Sequence, residues 1–263
     1  MPHVVTASAR VSYTQEGSGP GLVLLHGTGG DGFSNWGPLV RHFSASHSVI
    51  CPDYAGSGTT TDHGGPLALP ELAEQVLAAA SAAGQQRFDL VGFSLGAVVA
   101  AHIAAEHPER VRSLVLVAGF AGGPESRSQL QFGLWRDLIA RDREAMARLI
   151  LLTGFSPAFL SSLSHEELAK RQAAVLKFTN WPGMLRQTEL DLRLDIRNEV
   201  ARIGVPTRVI GCAQDQMVPP ALVRELAASI AGADYLEIDS GHLVPLERPQ
   251  ELAEAILAFV APG

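Results

Sequence analysis

The sequence predicts an α/β fold: a doubly wound, mostly parallel sheet with helices on both faces and an inserted helical lid. The first observation is a series of short, wholly apolar runs, such as residues 22–25 and 114–117, which are typical of strands buried on both faces. The second is that helical patterns separate these runs, as crossovers between parallel strands do. The third is a long break in this alternation, between residues 121 and 203, where only helical patterns occur.

Composition limits the classes of function. The 263 residues are 46% hydrophobic and 18% charged, which suits one α/β domain with a substantial insertion. The net charge is −7 and no Lys/Arg cluster is present, so neither nucleic acid nor an anionic membrane surface is an expected partner. Residues 1–20 contain no secretory signal and no stretch is long enough to span a bilayer. We therefore expect a cytoplasmic protein.

The elements follow in order along the chain. Residues 3–15 alternate loosely and predict one bent strand or a hairpin. The further predicted strands are residues 22–25, 48–51, 88–91, 114–117, 207–212 and 234–238. The polar, Gly-rich residues 59–68 predict a loop. One predicted helix begins near Asn35 or Trp36. The other helices predicted to flank the sheet cover residues 70–83, 97–106, 219–230 and 249–260.

The block that breaks the alternation is predicted to be a separate unit. Its helix candidates are residues 134–152, 165–178 and 184–203. We expect residues 1–120 and 204–263 to form the α/β core and residues 121–203 the lid. A helical block inserted between two strands is typical of a lid over the carboxyl edge of the sheet, where open α/β sheets bind ligands.

A possible nucleophile lies in Gly92-x-Ser94-x-Gly96, between an apolar strand and a helix of small residues. In this context the motif predicts a nucleophile elbow, a sharp strained turn that raises the serine hydroxyl clear of both elements. Strand and helix then pass so close that only glycine fits two residues either side of the serine.

A serine nucleophile requires a base, and the base requires an orienting carboxylate. His242 and Asp215 each follow a late predicted strand, so their loops lie at the same sheet edge as Ser94. Three unrelated folds carry a Ser-His-Asp triad, each with a different order of these residues along the chain. The order Ser94, Asp215, His242 is that of one of them. These three residues are the predicted catalytic triad.

The chain resembles a lidded member of the α/β-hydrolase superfamily over nearly its whole length except the lid. The resemblance rests on the residues already named, on Asp53 with its following glycines, and on His26-Gly27 and Glu247-x-Pro249. It implies acyl chemistry at a carbonyl carbon, with the backbone N–H groups of Thr28 and Leu95 as the oxyanion hole. It also implies that Asp53 shapes a turn and that His26 orders the oxyanion loop. The Thr28 hydroxyl is a further candidate donor.

The expected substrate is a small carboxylic ester or thioester with an apolar or aromatic acyl part, cleaved through an acyl-Ser94 intermediate. We expect no cofactor and no metal, because no Cys/His cluster has ligand spacing. The expected substrate contacts are apolar side chains: Phe93, Trp135, Phe155, Phe178, Trp181, Met217, Val218 and Leu243.

Other functions remain open for the same triad. They are an acyltransferase or thioesterase that acts with an acyl carrier protein in natural-product biosynthesis, a lactonase, a carbon–carbon bond hydrolase and a cofactor-free perhydrolase resembling haloperoxidases. A non-enzymatic alternative is a ligand receptor that retains the hydrolase fold.

Two further patterns have simpler explanations. Residues 27–32 match G-x-G-x-x-G, and Asp53 follows at the distance expected of a ribose-binding acid. We expect no dinucleotide site there, because the following helix is predicted to begin only near Trp36, too late for its N-terminus to meet a pyrophosphate. The two cysteines, Cys51 and Cys212, lie in apolar runs and are expected to be buried and reduced.

Overall fold

The computed structural model describes residues 1–123 and 125–260. Over these residues it contains one sheet of nine strands. They are β1 (His3–Val5), β2 (Ala9–Glu16), β3 (Gly21–Leu25), β4 (Ser48–Asp53), β5 (Thr61–Asp62), β6 (Phe88–Phe93), β7 (Val111–Val117), β8 (Thr207–Cys212) and β9 (Asp234–Ile238). Each predicted strand is present, and the loop predicted for residues 59–68 contains the two-residue strand β5.

The strands lie in the order β1-β2-β4-β3-β6-β7-β8-β9, with β5 paired to β2. Every pair from β4 to β9 is parallel, whereas β1, β2 and β5 are antiparallel to their neighbours. The chain runs outward from β3 to β4 on one side and then returns to β6 on the other. The carboxyl ends of β3 and β6 therefore flank a topological switch point, where open α/β sheets bind ligands.

The described residues form twelve α-helices and a 3₁₀ turn at Pro108–Arg110. The helices are α1 (Gly32–Phe43), α2 (Leu69–Ala82), α3 (Leu95–Glu106), α4 (Ser126–Arg141), α5 (Arg143–Gly154), α6 (Pro157–Ser162), α7 (His165–Phe178), α8 (Trp181–Asp191), α9 (Arg197–Val200), α10 (Pro220–Ala228), α11 (Val244–Glu247) and α12 (Pro249–Leu257). None is long and apolar enough to cross a membrane.

Apolar side chains cover both faces of the sheet. One core packs α2, α3 and α10 against one face, and a second packs α1 and α12 against the other. Strands β3, β4 and β6 are buried at every position because helices cover them on both sides. The prediction of a doubly wound, mostly parallel sheet is confirmed.

Helix α1 begins earlier than predicted. Its first residue is Gly32, and Asp31 is its N-cap, with a reciprocal hydrogen-bond pair to Ser34. Burial of apolar side chains in this helix starts only at Trp36, since Phe33 in the first turn is exposed. The first turn is therefore held by capping, which apolar periodicity does not reveal. The expected start near Trp36 was therefore wrong.

Helices α4 to α9 form the inserted helical block, residues 126–200, between β7 and β8. The helix predicted for residues 134–152 is two helices, because Asp142 ends α4 and its carboxylate accepts the Ala145 N–H at the start of α5. The helix predicted for residues 184–203 is likewise interrupted, between Asp191 and Arg197. Only the 165–178 candidate matches one helix.

Cys51 and Cys212 are buried free thiols, as predicted. Burial raises the pKa of the Cys51 thiol to about 12, so it is protonated at neutral pH.

Candidate active site

Ser94 occupies the turn between β6 and α3 at the switch point. Its backbone has φ 56° and ψ −121°, a region that side-chain-bearing residues rarely adopt. The Ser94 N–H donates to the Val117 carbonyl at 2.9 Å, which ties the strained residue to β7. A Cβ at Gly92 would lie 2.1 Å from the Gly96 carbonyl oxygen, and one at Gly96 would lie 2.4 Å from the Leu25 oxygen. The two glycines are therefore required for the close approach of strand and helix.

A chain of hydrogen bonds links Ser94 to His242 and Asp215. The His242 Nε2 lies 3.1 Å from the Ser94 Oγ, and the His242 Nδ1 lies 2.7 Å from the Asp215 Oδ2. The other oxygen of Asp215 accepts the N–H groups of Met217 and Val218, each at 2.8 Å. These bonds fix the carboxylate, which makes Nδ1 the protonated nitrogen of a neutral His242 and leaves Nε2 free to accept the serine proton.

The loop after β3, residues 26–31, lies beside Ser94, and nearly all its amide N–H groups have acceptors. Those of Gly27, Gly29 and Gly30 donate to Asn35 Oδ1, Gln187 Oε1 and the Gly27 carbonyl, at 2.8, 2.8 and 3.1 Å. The next amide, of Asp31, donates to the Ser34 hydroxyl. Within the described residues, the Thr28 N–H has no acceptor. Among the N–H groups of residues 27–31 it is the one without an acceptor, and Thr28 lies at the wall of the cavity described below.

The same pattern holds at the start of α3. As its first residue, Leu95 has no carbonyl four residues back within the helix. Within residues 1–123 and 125–260, no other group accepts its N–H. The two amides that the resemblance to the α/β-hydrolases implied are thus unpaired among the described residues: one lies in the loop after β3, and the other is the first residue of α3, after β6.

The Thr28 hydroxyl is not free to act as an additional donor, contrary to that hypothesis. It donates to the Asp191 Oδ2 at 2.8 Å, so it is engaged with helix α8. Desolvation raises the pKa of Asp191 to about 7, opposed only by this hydrogen bond. Sequence reasoning gave no role to Asp191.

The dinucleotide motif is also explained by these bonds. The early start of α1 removes the argument that its N-terminus is too distant. However, the Gly32 N–H donates to the Asp53 Oδ1, and the other N–H groups from Gly29 to Asp31 already have protein acceptors. Asp53 is buried and occupied in shaping this turn, as the family resemblance implied. The donors that a pyrophosphate requires are not available.

The side chain of His26 lies under the oxyanion loop, the segment after β3 that carries Thr28. It is fully buried, its ring stacks on Tyr54 at 4.0 Å between centroids, and its Nδ1 lies 3.0 Å from the Gly27 carbonyl oxygen. Burial lowers the pKa of His26, which keeps the ring neutral. Its ring bonds the loop, and among the described residues no hydrogen bond joins it to Ser94.

A cavity of about 280 Å³ opens above Ser94. Its floor comes from the loops of the sheet, and its walls come mainly from α5 and α7 of the inserted block, with one residue each from α4 and α8. Six of the eight predicted apolar contact residues line it: Phe93, Trp135, Phe155, Phe178, Met217 and Leu243. By area the lining of the cavity is mainly apolar, and its polar side chains besides Ser94 and His242 are Thr28, Asp31, Ser34, Asn35, Arg171 and Thr179.

Trp181 and Val218 do not line the cavity, in contrast to expectation. Trp181 is buried within the block, where its Nε1 donates to the Leu176 carbonyl and the Arg143 guanidinium lies over its ring. Val218 is buried in the core, where its N–H holds Asp215. Both are apolar residues beside site loops, and sequence alone does not tell which way such side chains face.

Within the described residues, no three His, Cys, Asp or Glu side chains cluster closely enough to hold a metal ion. The arrangement brings a hydroxyl, an imidazole, a carboxylate and two unpaired N–H groups together at one edge of the sheet. These are the parts that acyl transfer requires.

This combination of fold and site defines a class of protein. Residues 20–249 match the model of the alpha/beta hydrolase fold family. The chain belongs to this family of hydrolases.

Individual relatives resemble the chain over its whole length. It is 46% identical to a pyrrolizixenacetamide deacetylase of Xenorhabdus hominickii, over 99% of this chain and 98% of that protein. It is 32% identical to a pimeloyl-[acyl-carrier protein] methyl ester esterase of Xanthomonas campestris, over 93% and 96% of the two chains. Among solved structures, an enol-lactonase from Burkholderia xenovorans superposes with a TM-score of 0.88 at 26% identity, covering 98% and 99%.

Proposed function

We propose that the protein is a serine hydrolase that removes a short acyl group from a compact, mainly apolar substrate through an acyl-Ser94 intermediate. The observation that supports this best is the hydrogen-bonded series from Ser94 through His242 to Asp215, at the floor of an apolar cavity. In this proposal Ser94 is the nucleophile, His242 the general base and acid, and Asp215 the residue that orients the imidazole.

The steps follow from the geometry. The Ser94 Oγ attacks the substrate carbonyl carbon as His242 Nε2 takes its proton, and the carbonyl oxygen gains negative charge between the Thr28 and Leu95 N–H groups. The bond to the leaving group then breaks, and His242 returns the proton to that group. Water then attacks the acyl-Ser94 ester as His242 takes one of its protons. The bond between the acyl carbon and the Ser94 Oγ breaks, His242 returns the proton to that oxygen, and the carboxylic acid leaves.

The substrate class is proposed from the cavity and from one relative. A cavity of about 280 Å³ with mostly apolar walls fits a small molecule with few polar groups. The relative at 46% identity is named as a deacetylase of an acetamide. We therefore propose an N-acetyl amide of an apolar amine as the substrate, with the inserted helical block as the lid that covers it.

A second candidate is the hydrolysis of a carboxylic ester or thioester. The same triad performs it with a better leaving group, and the relative at 32% identity is named as an esterase of an ester attached to acyl carrier protein. In this alternative the leaving group or the acyl part extends through the mouth of the cavity, where Phe178 is largely exposed.

The first prediction tests both candidate functions, deacetylation of an amide and hydrolysis of an ester or thioester. We expect wild-type protein to hydrolyse acetylated compounds from a matched panel of acetamides, esters and thioesters on the same apolar skeleton. Replacing Ser94 by Ala should lower kcat by about 10⁴-fold or more, because the nucleophile is lost. Mass spectrometry of intact protein after a brief incubation should detect an acetyl group on Ser94 in the wild type and none in the variant.

Ser48→Ala is a matched control, since Ser48 is a buried serine at the amino end of β4, opposite the active-site edge of the sheet. Preference for the acetamides supports deacetylation, whereas preference for the esters supports the second candidate. Labelling of wild-type protein by a fluorophosphonate at Ser94 is expected in either case. Absence of labelling, together with absence of turnover, would favour a non-catalytic receptor.

A further inference from the structure

We propose that Asp191 and Gln187, on helix α8 of the inserted helical block, are positioning residues that fix the Thr28 N–H as an oxyanion donor. This inference rests on the proposed function and extends it, because it makes the block part of the apparatus that stabilises the transition state. Neither residue touches the reacting atoms in this proposal. Both act through the loop that carries Thr28.

The orientation of the Thr28 N–H is set by the peptide unit that it shares with the Gly27 carbonyl. That carbonyl accepts the Gly30 N–H at 3.1 Å, and His26 Nδ1 lies 3.0 Å from it. Because a trans peptide is planar, its N–H points away from its C=O. With the carbonyl held inside the loop, the N–H is directed out of it.

Helix α8 holds the residues on which this orientation depends. The Thr28 side chain donates to Asp191 Oδ2 at 2.8 Å, and the following N–H, of Gly29, donates to Gln187 Oε1 at 2.8 Å. On the other side, the Gly27 N–H donates to Asn35 Oδ1. The Gly27–Thr28 peptide is therefore fixed at both ends, on one side by α1 and on the other by α8.

A further hydrogen bond and close backbone packing hold α8 against the loops of the sheet. The Gln187 Nε2 donates to the Ser57 Oγ at 2.7 Å, which orients the amide with its oxygen toward Gly29. A Cβ at Gly183 would lie 1.9 Å from the Gly56 carbonyl oxygen, so the helix backbone packs directly on the turn after β4. The Met184 side chain covers Gly29.

Asp191 itself is unusual for a purely structural residue. It is buried, and within the described residues its Oδ1 has no hydrogen-bond partner. A buried carboxyl with one satisfied oxygen destabilises a fold relative to a residue with fewer polar atoms. Among the residues that the structure describes, the Thr28 hydroxyl is the one hydrogen-bond partner of the Asp191 side chain, which points to the oxyanion loop as the reason for its presence.

The test is a double-mutant cycle on Thr28→Val and Asp191→Ala, with p-nitrophenyl acetate as substrate and phenylboronic acid as an inhibitor that forms a tetrahedral adduct. We expect each single variant to lower kcat by about 10-fold, short of the roughly 10²–10³-fold seen when an oxyanion donor is deleted outright. KM should change less than about twofold, and inhibition by the boronic acid should weaken in parallel with kcat. The double variant should be no slower than the slower single variant, because both remove the same contact.

Asp191→Asn should restore kcat to within about twofold of wild type, since its oxygen still accepts the Thr28 hydroxyl. Thr188→Val is the matched control on the same helix: its hydroxyl is buried without a partner among the described residues, and its loss should leave kcat unchanged. Multiplicative losses in the double variant, or a normal kcat in both single variants, would overturn the inference. Lack of activity and of fluorophosphonate labelling in the wild type would instead reject the proposed function.

Discussion

Two buried aspartates at the site show how environment separates the roles of one residue type. Asp215 accepts two backbone N–H groups and lies 2.7 Å from the His242 ring nitrogen, so both of its oxygens are engaged. Asp191 is equally enclosed, but in residues 1–123 and 125–260 only one of its oxygens has a hydrogen-bond partner. Desolvation therefore dominates at Asp191 and raises its pKa to about 7.

This pKa predicts a pH-dependent stability. Between pH values of about 4 and 7, folded protein retains a proton on Asp191 that the unfolded chain has released. The free energy of unfolding therefore falls as pH rises through this window and levels off above it. Asp191→Asn lacks this titration, so its stability relative to wild type should increase from pH 5 to pH 8, by up to about 3 kcal/mol.

Urea unfolding at the two pH values measures the difference. Asp195→Asn is a suitable control, because Asp195 is exposed and Arg197 holds the pKa of its carboxyl below the ordinary value. Its effect on stability should be the same at pH 5 and pH 8. A pH-independent effect of Asp191→Asn would show that Asp191 is ionised throughout this range.

At the scale of elements, the strand that leads to the elbow contains one charge. Asp89 is fully buried in β6, where it accepts a hydrogen bond from the Ser113 hydroxyl and lies 2.5 Å from the Arg112 Nη2. The same guanidinium donates to the Gly21 carbonyl in β3. The pair thus joins β3, β6 and β7 at the amino end of the sheet, opposite the active-site edge.

Arg112→Ala should lower the free energy of unfolding by about 3 kcal/mol, because it leaves a buried carboxylate without its cation. Thermal unfolding should detect this as a decrease in Tm of roughly 5–10 °C. The exposed pair Arg136–Asp137, with 3.4 Å between its charged atoms, provides the comparison. Arg136→Ala is expected to change stability by less than about 0.5 kcal/mol, and an equal effect of the two variants would contradict this account.

At the scale of the whole molecule, the cavity exists only because sheet and inserted block meet above the switch point. Phe155 is a buried part of its wall, stacked on Phe159 with 4.7 Å between ring centroids, and the Arg171 guanidinium lies over both rings. Removal of the Phe155 ring would extend the cavity toward the block.

Phe155→Ala should therefore shift preference toward larger apolar substrates, by about 10-fold or more in the ratio of kcat/KM values. The measurement compares two acetylated compounds that differ only in the size of the apolar skeleton. Phe159→Ala removes the stacked partner, which is not part of the cavity lining, so it should leave the ratio near that of wild type. A similar shift in both variants would mean that the block repacks as a unit.

Much of this molecule was predictable from local pattern. Apolar runs indicated the strands, and Gly92 and Gly96 indicated the elbow, because burial and steric crowding act on neighbouring residues. The positions of Asp215 and His242 followed from strand order, and the structure brings both to Ser94; their catalytic roles stay predictions.

The predictions that were wrong concern features that the local sequence pattern does not encode. Asp31 and Asp142 define helix ends through side-chain caps, which apolar periodicity does not register. The directions of Trp181 and Val218 depend on tertiary packing. The Thr28–Asp191 hydrogen bond joins residues that are 163 positions apart in the chain, so no motif in either segment predicts it.

The hydrogen bonds between α8 and the oxyanion loop affect whether the inserted block can be exchanged between relatives. An insertion that only covered a finished active site would be exchangeable, and a transplanted one would bring a new specificity at an unchanged rate. Here the insertion carries two of the anchors of a proposed catalytic donor. Exchange of the block between relatives would alter rate and specificity together, unless the partners of Thr28 and Gly29 were transferred with it.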